Sequence, residues 1–148
     1  MTALTLARPD DLERLSALVA AFHTEAGITQ DEPTRRAALL PVLEGSPHAA
    51  AYLIGPPRAP IGYIVISFGW SLEFAGLDGF VDEFYIRRAV RGRGIGTEVM
   101  SALPRALAGA GLKALHLEVR RDNLKTRRLY EKLGFVARDE HSLLTRRM

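Results

Sequence analysis

Three glycines, two arginines and an isoleucine fill residues 91–96, Arg91-Gly92-Arg93-Gly94-Ile95-Gly96, between a strand-like run and a helix-like one. A strand, a glycine-rich turn and a helix start together leave backbone N–H groups without carbonyl partners and aim the positive end of the helix dipole at one point. Such a place binds phosphate. Glycine suits it because a side chain would hold an anion off the backbone and because positive φ costs it little. Read by itself, the stretch also fits a solvated turn with incidental arginines. Two familiar phosphate loops do not match: a P-loop ends in Gly-Lys-Ser/Thr, and the lysines here are Lys113, Lys125 and Lys132. A dinucleotide fingerprint needs Gly-x-Gly-x-x-Gly, whereas Gly92, Gly94 and Gly96 alternate.

Just upstream, Asp82 and Glu83 are adjacent in a strand-like run. Side-chain alternation sends them to opposite faces, so one of them can look into a cleft and serve as a base. Trp70, Glu73 and Asp78 precede them, an aromatic and acidic group suited to a cationic amine through charge and cation–π contact. His23, His48, His116 and His141 are scattered without metal-ligand spacing, so no metal is expected.

The elements that must carry these residues follow from periodicity and punctuation. "LTLA" at 4–7 reads as a strand, and Leu12, Leu15, Leu18, Val19 and Phe22 form one stripe of a helix that opens on Pro9 and acids. A second helix follows Asp31-Glu32-Pro33, with Pro41 expected to end or kink it. Residues 49–54 and 61–70 are β-type runs joined by a proline turn, and 79–86 is a third. Residues 95–111 read as a helix with Pro104 as an internal conflict, and 112–119 as a strand. The next helix has Asn123 as N-cap and Gly134 as its stop, and "SLLTRRM" at 142–148 is expected as a last short strand. The expected fold is α/β, a mixed, mostly antiparallel sheet flanked by helices on both faces, in a single domain over 1–148.

Composition narrows the class. The 148 residues are 47% hydrophobic and 25% charged, as in ordinary globular chains. With no cysteine, disulfides, thiolate metal sites and cysteine nucleophiles are excluded, and a reducing, cytoplasmic setting fits. Neither a run of membrane-spanning length nor a signal-peptide pattern is present. Positive charge gathers around the glycine loop although the net charge is only +3. Acids are interleaved and no nucleic-acid motif occurs, so a phosphate-bearing small molecule is expected rather than nucleic acid or membrane.

The loop also matches Arg/Gln-x-x-Gly-x-Gly/Ala through Arg91, Gly94 and Gly96, and "NLKTRRLYEKLGF" follows at the separation of one helix and one strand. In these residues the chain resembles the GNAT superfamily of N-acetyltransferases over about 76–136. That resemblance implies acetyl-CoA as co-substrate, its pyrophosphate on the amides of Arg91, Gly92, Arg93, Gly94, Ile95 and Gly96 and its pantetheine arm on the backbone of Phe84 and Ile86. Asn123 and Tyr130 fall on the cofactor side in this likeness, with Tyr130 as the acid that protonates the departing thiolate. "VDEFYI" resembles polyamine-type members, which places Asp82 at their proposed base, with Glu83 or water as rivals. A diamine or polyamine acceptor is expected, bound in part by Trp70 and Glu73; an amino acid, an aminoglycoside or a protein N-terminus are the competing acceptors. A homodimer is implied by the same likeness. A non-catalytic acyl-CoA-binding module is the alternative of a different class. Arg127 departs from the family pattern, which often has alanine there.

Overall fold

β-branched and aromatic runs build most of a five-stranded sheet whose strands lie side by side in chain order. The computed structural model describes residues 2–148, which fall into two compact units, one ending at Glu118 and the other Val119–Met148. In the first, β1 is Leu4–Leu6, β2 Ala49–Ile54, β3 Gly62–Ser71, β4 Gly76–Ile86 and β5 Ala114–His116. The pairs from β1 to β4 are antiparallel, and β4–β5 is parallel. Helices α1 (Leu12–Ala26), α2 (Glu32–Leu43) and α3 (Ile95–Gly109) belong to the same unit.

Alternation assigns the two faces of the sheet. Leu53, Tyr63, Val65 and Tyr85 join Leu15, Leu18 and Val19 of α1 and Leu39 and Leu43 of α2 in one core. Ile64 and Ile66 point the other way and are fully buried. On that face α3 begins, since Gly96 approaches the side chains of Ile86 and Phe84, and α3 buries Val99, Met100, Leu103 and Leu107. Covering both faces in this way makes the mixed α/β fold expected from element order.

Several boundaries differ from the sequence reading. β4 starts at Gly76 rather than 79, because Ser71 pairs with Gly76 and Trp70 with Leu77 around a tight turn in which Ala75 takes φ 61°. Pro41 sits in the last turn of α2, which stops at Leu43, while α3 runs straight through Pro104. β5 has three residues instead of eight: it pairs with β4 only over Asp78–Phe80 and then loses its partner.

In the second unit, α4 spans Leu124–Lys132, with the Asn123 side chain accepting from the Thr126 N–H at 3.2 Å and Gly134 at φ 98° ending it. Arg127 turns to Asp139 at 2.8 Å, so the arginine is absorbed by an ion pair rather than by packing. The expected strand over 142–148 is not formed; residues 141–148 are neither helix nor strand and are exposed. Adjacent Leu143 and Leu144, then adjacent Arg146 and Arg147 after Thr145, break the period of two, and α4 offers no strand edge within its unit. No helix among the described residues is long and apolar enough to cross a membrane.

Candidate acyl-transfer site

After β4 the chain makes one tight turn over Arg88–Val90 and enters the glycine loop. Gly92 and Gly94 take φ of 79° and 80°, which only glycine adopts without strain, and Gly94 is the N-cap of α3. The first bonded amide of the helix is that of Glu98, which donates to the Gly94 carbonyl at 3.0 Å. Among the described residues, no backbone carbonyl takes the N–H groups of Gly92, Arg93, Gly94, Ile95, Gly96 or Thr97. Six donors are thus gathered at the positive end of a 15-residue helix. The Arg91 N–H is already used, donating to the Arg88 carbonyl at 3.2 Å, whereas Thr97, a residue the sequence motif does not single out, joins the free set.

The Arg91 side chain serves as a tether. Its guanidinium reaches Glu25 on α1 at 2.7 and 2.8 Å, lies 5.5 Å from the Tyr85 ring centroid, and donates from Nε to the Ile86 carbonyl at 2.8 Å. These contacts pin the loop to the end of α1 and to the last residue of β4. Arg88 and Arg93 are exposed beside it, and Arg87 donates to the Pro60 carbonyl at 3.2 Å.

The strand edge beside the loop is open. β4 and β5 pair no further than Phe80 with His116, while β4 continues along β3 to Ile86. Because Arg87 N–H donates to the Ile61 carbonyl at 2.8 Å, alternation turns Tyr85 and Glu83 toward β3 and turns the N–H and C=O of Phe84 and Ile86 outward. The Arg91 bond to the Ile86 carbonyl confirms this direction. A second extended chain can lie along such an edge.

The acid pair sits where the β3–β4 register slips. Val65 faces Glu83 and Ile66 faces Val81, so Asp82 is an extra residue in a bulge. The bulge breaks the alternation on which the opposite-face expectation for Asp82 and Glu83 rested. Glu83 turns to the α1 face, where Oε1 accepts from the Tyr63 hydroxyl at 2.7 Å and Oε2 lies 2.6 Å from His23 Nε2. Tyr63 is 0% exposed, and burial together with the Glu83 carboxylate pushes its pKa far up, so it stays a donor. The Asp82 carboxyl has no hydrogen-bond partner among the described residues and reaches the surface. Its pKa is raised, first by desolvation and then by Glu83 and Glu118, with His23 pulling the other way.

A turn of unbonded amides, an open strand edge and a bulged acid pair form one assembly at the C-terminal end of β4. The sequence profile of the acetyltransferase (GNAT) family matches residues 12–135, which contain all three. The chain belongs to this family. An acetyltransferase activity follows from that membership. No curated protein sequence matches the chain significantly. Among solved structures, an integron cassette protein from the mobile metagenome of Cole Harbour Salt Marsh is 28% identical, with a TM-score of 0.83 over 98% of this chain and 90% of that one. A predicted acetyltransferase of Clostridium acetobutylicum, solved with acetyl-CoA, is 18% identical with a TM-score of 0.76 over 98% and 96%. The enzyme AAC(6')-Iy, solved with the bisubstrate analogue CoA-S-monomethyl-acetylneamine, is 15% identical with a TM-score of 0.80 over 100% and 99%; these two likenesses are of fold.

Within the first unit of this GNAT chain, Trp70, Glu73 and Asp78, also singled out from the sequence, lie apart from the acid pair. Trp70, 72% exposed, and Glu73 are at the β3–β4 hairpin tip. Trp70 pairs with Leu77, five residues before Asp82, and at about 3.3 Å per residue this separates tip and bulge by roughly 17 Å. Asp78 is taken up by His116 at 3.1 Å. In the second unit, Tyr130 stacks edge-on with Phe135 at 5.6 Å, and burial raises the pKa of its phenol. Among the described residues, no group of three or more His, Cys, Asp or Glu could hold a metal. His23 and Tyr63 are the polar partners that sequence reasoning missed. The available signal was a histidine set four residues after Val19 and eight after Leu15, inside the apolar stripe of α1.

Proposed function

We propose that this GNAT protein moves an acetyl group from acetyl-CoA to a primary amine by direct attack in a ternary complex, with a small cationic amine of diamine or polyamine type as acceptor. The observation that carries the reading is the run of free amides from Gly92 to Thr97 at the start of α3. These amides would hold the pyrophosphate, and exposed Arg88 and Arg93 would add charge-assisted contacts to its oxygens. The outward backbone of Phe84 and Ile86 would pair with the pantetheine amides as an added strand. The acetyl-CoA and CoA-analogue complexes of the Clostridium acetobutylicum protein and AAC(6')-Iy support the choice of carrier.

The amine nitrogen attacks the thioester carbonyl carbon, forming a C–N bond as the C–S bond breaks. Asp82 takes the proton lost by the amine, directly or through water. Asp82 is preferred to Glu83 because both Glu83 oxygens are engaged by Tyr63 and His23, while the Asp82 carboxyl has no such partner and its raised pKa makes it a better proton acceptor than an ordinary aspartate. On the family resemblance, Asn123 and Tyr130 of α4 join the cofactor, Tyr130 protonates the thiolate, and residues 1–148 act as one domain. Trp70 and Glu73 would meet the far end of an extended acceptor. The same resemblance implies a homodimer, and the lack of cysteine fits a cytoplasmic setting.

Thiol release from acetyl-CoA, measured against diamines, polyamines, amino acids and an aminoglycoside, tests the reading. The highest kcat/KM is expected for a diamine or polyamine. Acetyl-CoA at about 100 times its Kd should also add about 2.7 kcal/mol of stability. Stabilisation without thiol release for any amine would leave a binding module, and neither effect would remove the reading altogether.

A further inference from the structure

His23 is 7% exposed on α1, and its imidazole is held between the helix and the sheet. Nε2 lies 2.6 Å from Glu83 Oε2, while Nδ1 is buried without a hydrogen-bond partner among the described residues. A buried N–H without an acceptor costs more than a bare ring nitrogen, so the proton belongs on Nε2 and is donated to Glu83. Phe22 and Tyr85 pack at 6.0 Å from each other, with Phe22 also 6.0 Å from His23 and Tyr63 6.1 Å from Tyr85. Glu83 is therefore fixed from two sides inside an aromatic frame, one residue from the bulged Asp82.

Two neighbouring carboxylates of similar environment share a proton, and neither is then a defined base. We infer that His23 is a positioning residue for the acid pair: by donating Nε2–H to Glu83 it engages that carboxylate as an acceptor and fixes it, so that Asp82 alone receives the proton of the amine. This deepens the acetyl-transfer reading and rests on it. The charged and titratable groups around the pair are His23 from α1, Tyr63 from β3, Tyr85 on β4, Glu118 after β5, and Arg91 of the loop with its partner Glu25 on α1. Tyr63 supplies one donor to Glu83, so loss of His23 leaves the other oxygen bare and lets the pair share a proton. The Asp82 carboxyl, already shifted up by desolvation and then by Glu83, responds in the same direction.

The test is the pH profile of kcat/KM for His23→Leu and His23→Gln, with acetyl-CoA binding followed by thermal shift. In the Leu variant the acidic limb should move to higher pH by about one unit, the size typical of losing one such close partner. Activity near that limb should fall roughly tenfold and recover in alkali, with acetyl-CoA affinity unchanged. In the Gln variant an amide N–H replaces the Nε2 donor, and the limb should return toward that of the parent. An unmoved limb in the Leu variant, or equal displacement in both variants, overturns the inference. A second measurement needs no variant: 15N–1H spectra of the ring in the parent protein should show Nε2 protonated, and a proton on Nδ1 with Nε2 bare overturns it. Absence of thiol release by the parent protein instead sinks the acetyl-transfer reading, an outcome distinct from either.

Discussion

Substituting Gly94 by alanine separates the role of backbone conformation from that of space. Gly94 has φ 80°, and a Cβ built there meets nothing within 4 Å, so any penalty is conformational rather than steric. An L-residue in the left-handed region costs about 1–2 kcal/mol. If the loop keeps its shape, Gly94→Ala should lower Tm by roughly 2–8 °C, at about 2–4 °C per kcal/mol for a chain near this size. If the loop relaxes instead, the amides turn away from their common focus. Acetyl-CoA should then bind about 5–30-fold more weakly, since about 1.4 kcal/mol is tenfold. Gly96→Ala is the control: its Cβ would sit 3.7 Å from Ile86 Cδ1 and 3.8 Å from Phe84 Cζ, ordinary contacts, at a helical position with no positive φ. In stability without ligand it should match the parent or gain up to about 1 kcal/mol from helix propensity. Differential scanning fluorimetry with and without acetyl-CoA, followed by calorimetric titration, reads both variants. A Gly94→Ala protein as stable and as tight-binding as the parent would refute the reasoning.

Tyr130→Phe should lower kcat by about 10²–10⁴-fold while leaving the acetyl-CoA Kd within a factor of two or so, as single-turnover kinetics and titration would show; unchanged turnover removes the phenol from its assigned step. Asp82→Asn should be at least as stable as the parent at pH 7. The raised Asp82 pKa favours the protonated folded state, so the parent loses that contribution as pH rises from the ordinary value of 3.8 through the folded one, and the Asn variant does not. Chemical denaturation at pH 4 and pH 7 checks this, and a deficit of the Asn variant that grows with pH contradicts it. Gly62→Ala should destabilise by about 1–3 kcal/mol or more, because its Cβ would overlap the Tyr85 carbonyl oxygen and come 3.1 Å from Ile86 Cα, backbone atoms that move only if β3 and β4 part. A Tm within a degree of the parent would show that the strands have that freedom.

The glycine loop was legible because its signal is local: positive φ, missing carbonyl partners and a helix start all belong to six consecutive residues. The caps at Asn123 and Gly134 were legible for the same reason, as was the order of strands and helices up to α4, but not the strand expected over 142–148. What escaped the sequence depends on register. Periodicity alone places Asp82 and Glu83 on opposite faces, and only the β3 partner strand, by slipping between Val65 and Ile66, makes Asp82 an inserted residue. His23 and Tyr63 are 40 residues apart in sequence and each reads as core; their meeting at Glu83 is set by how α1 packs on β3 and β4. The short β5 likewise reflects the divergence of its neighbour rather than its own composition, since "LKALHLEV" has strand character over eight residues. The hairpin tip failed to converge on the acids because a straight strand carries Trp70 and Asp82 apart at a fixed rise.

The most direct test of the account is a crystal structure of the complex with acetyl-CoA. The pyrophosphate is predicted within hydrogen-bond distance of the amides between Gly92 and Thr97, with the pantetheine arm along Phe84 and Ile86. A carrier bound elsewhere on the chain, with these amides facing solvent, would contradict it.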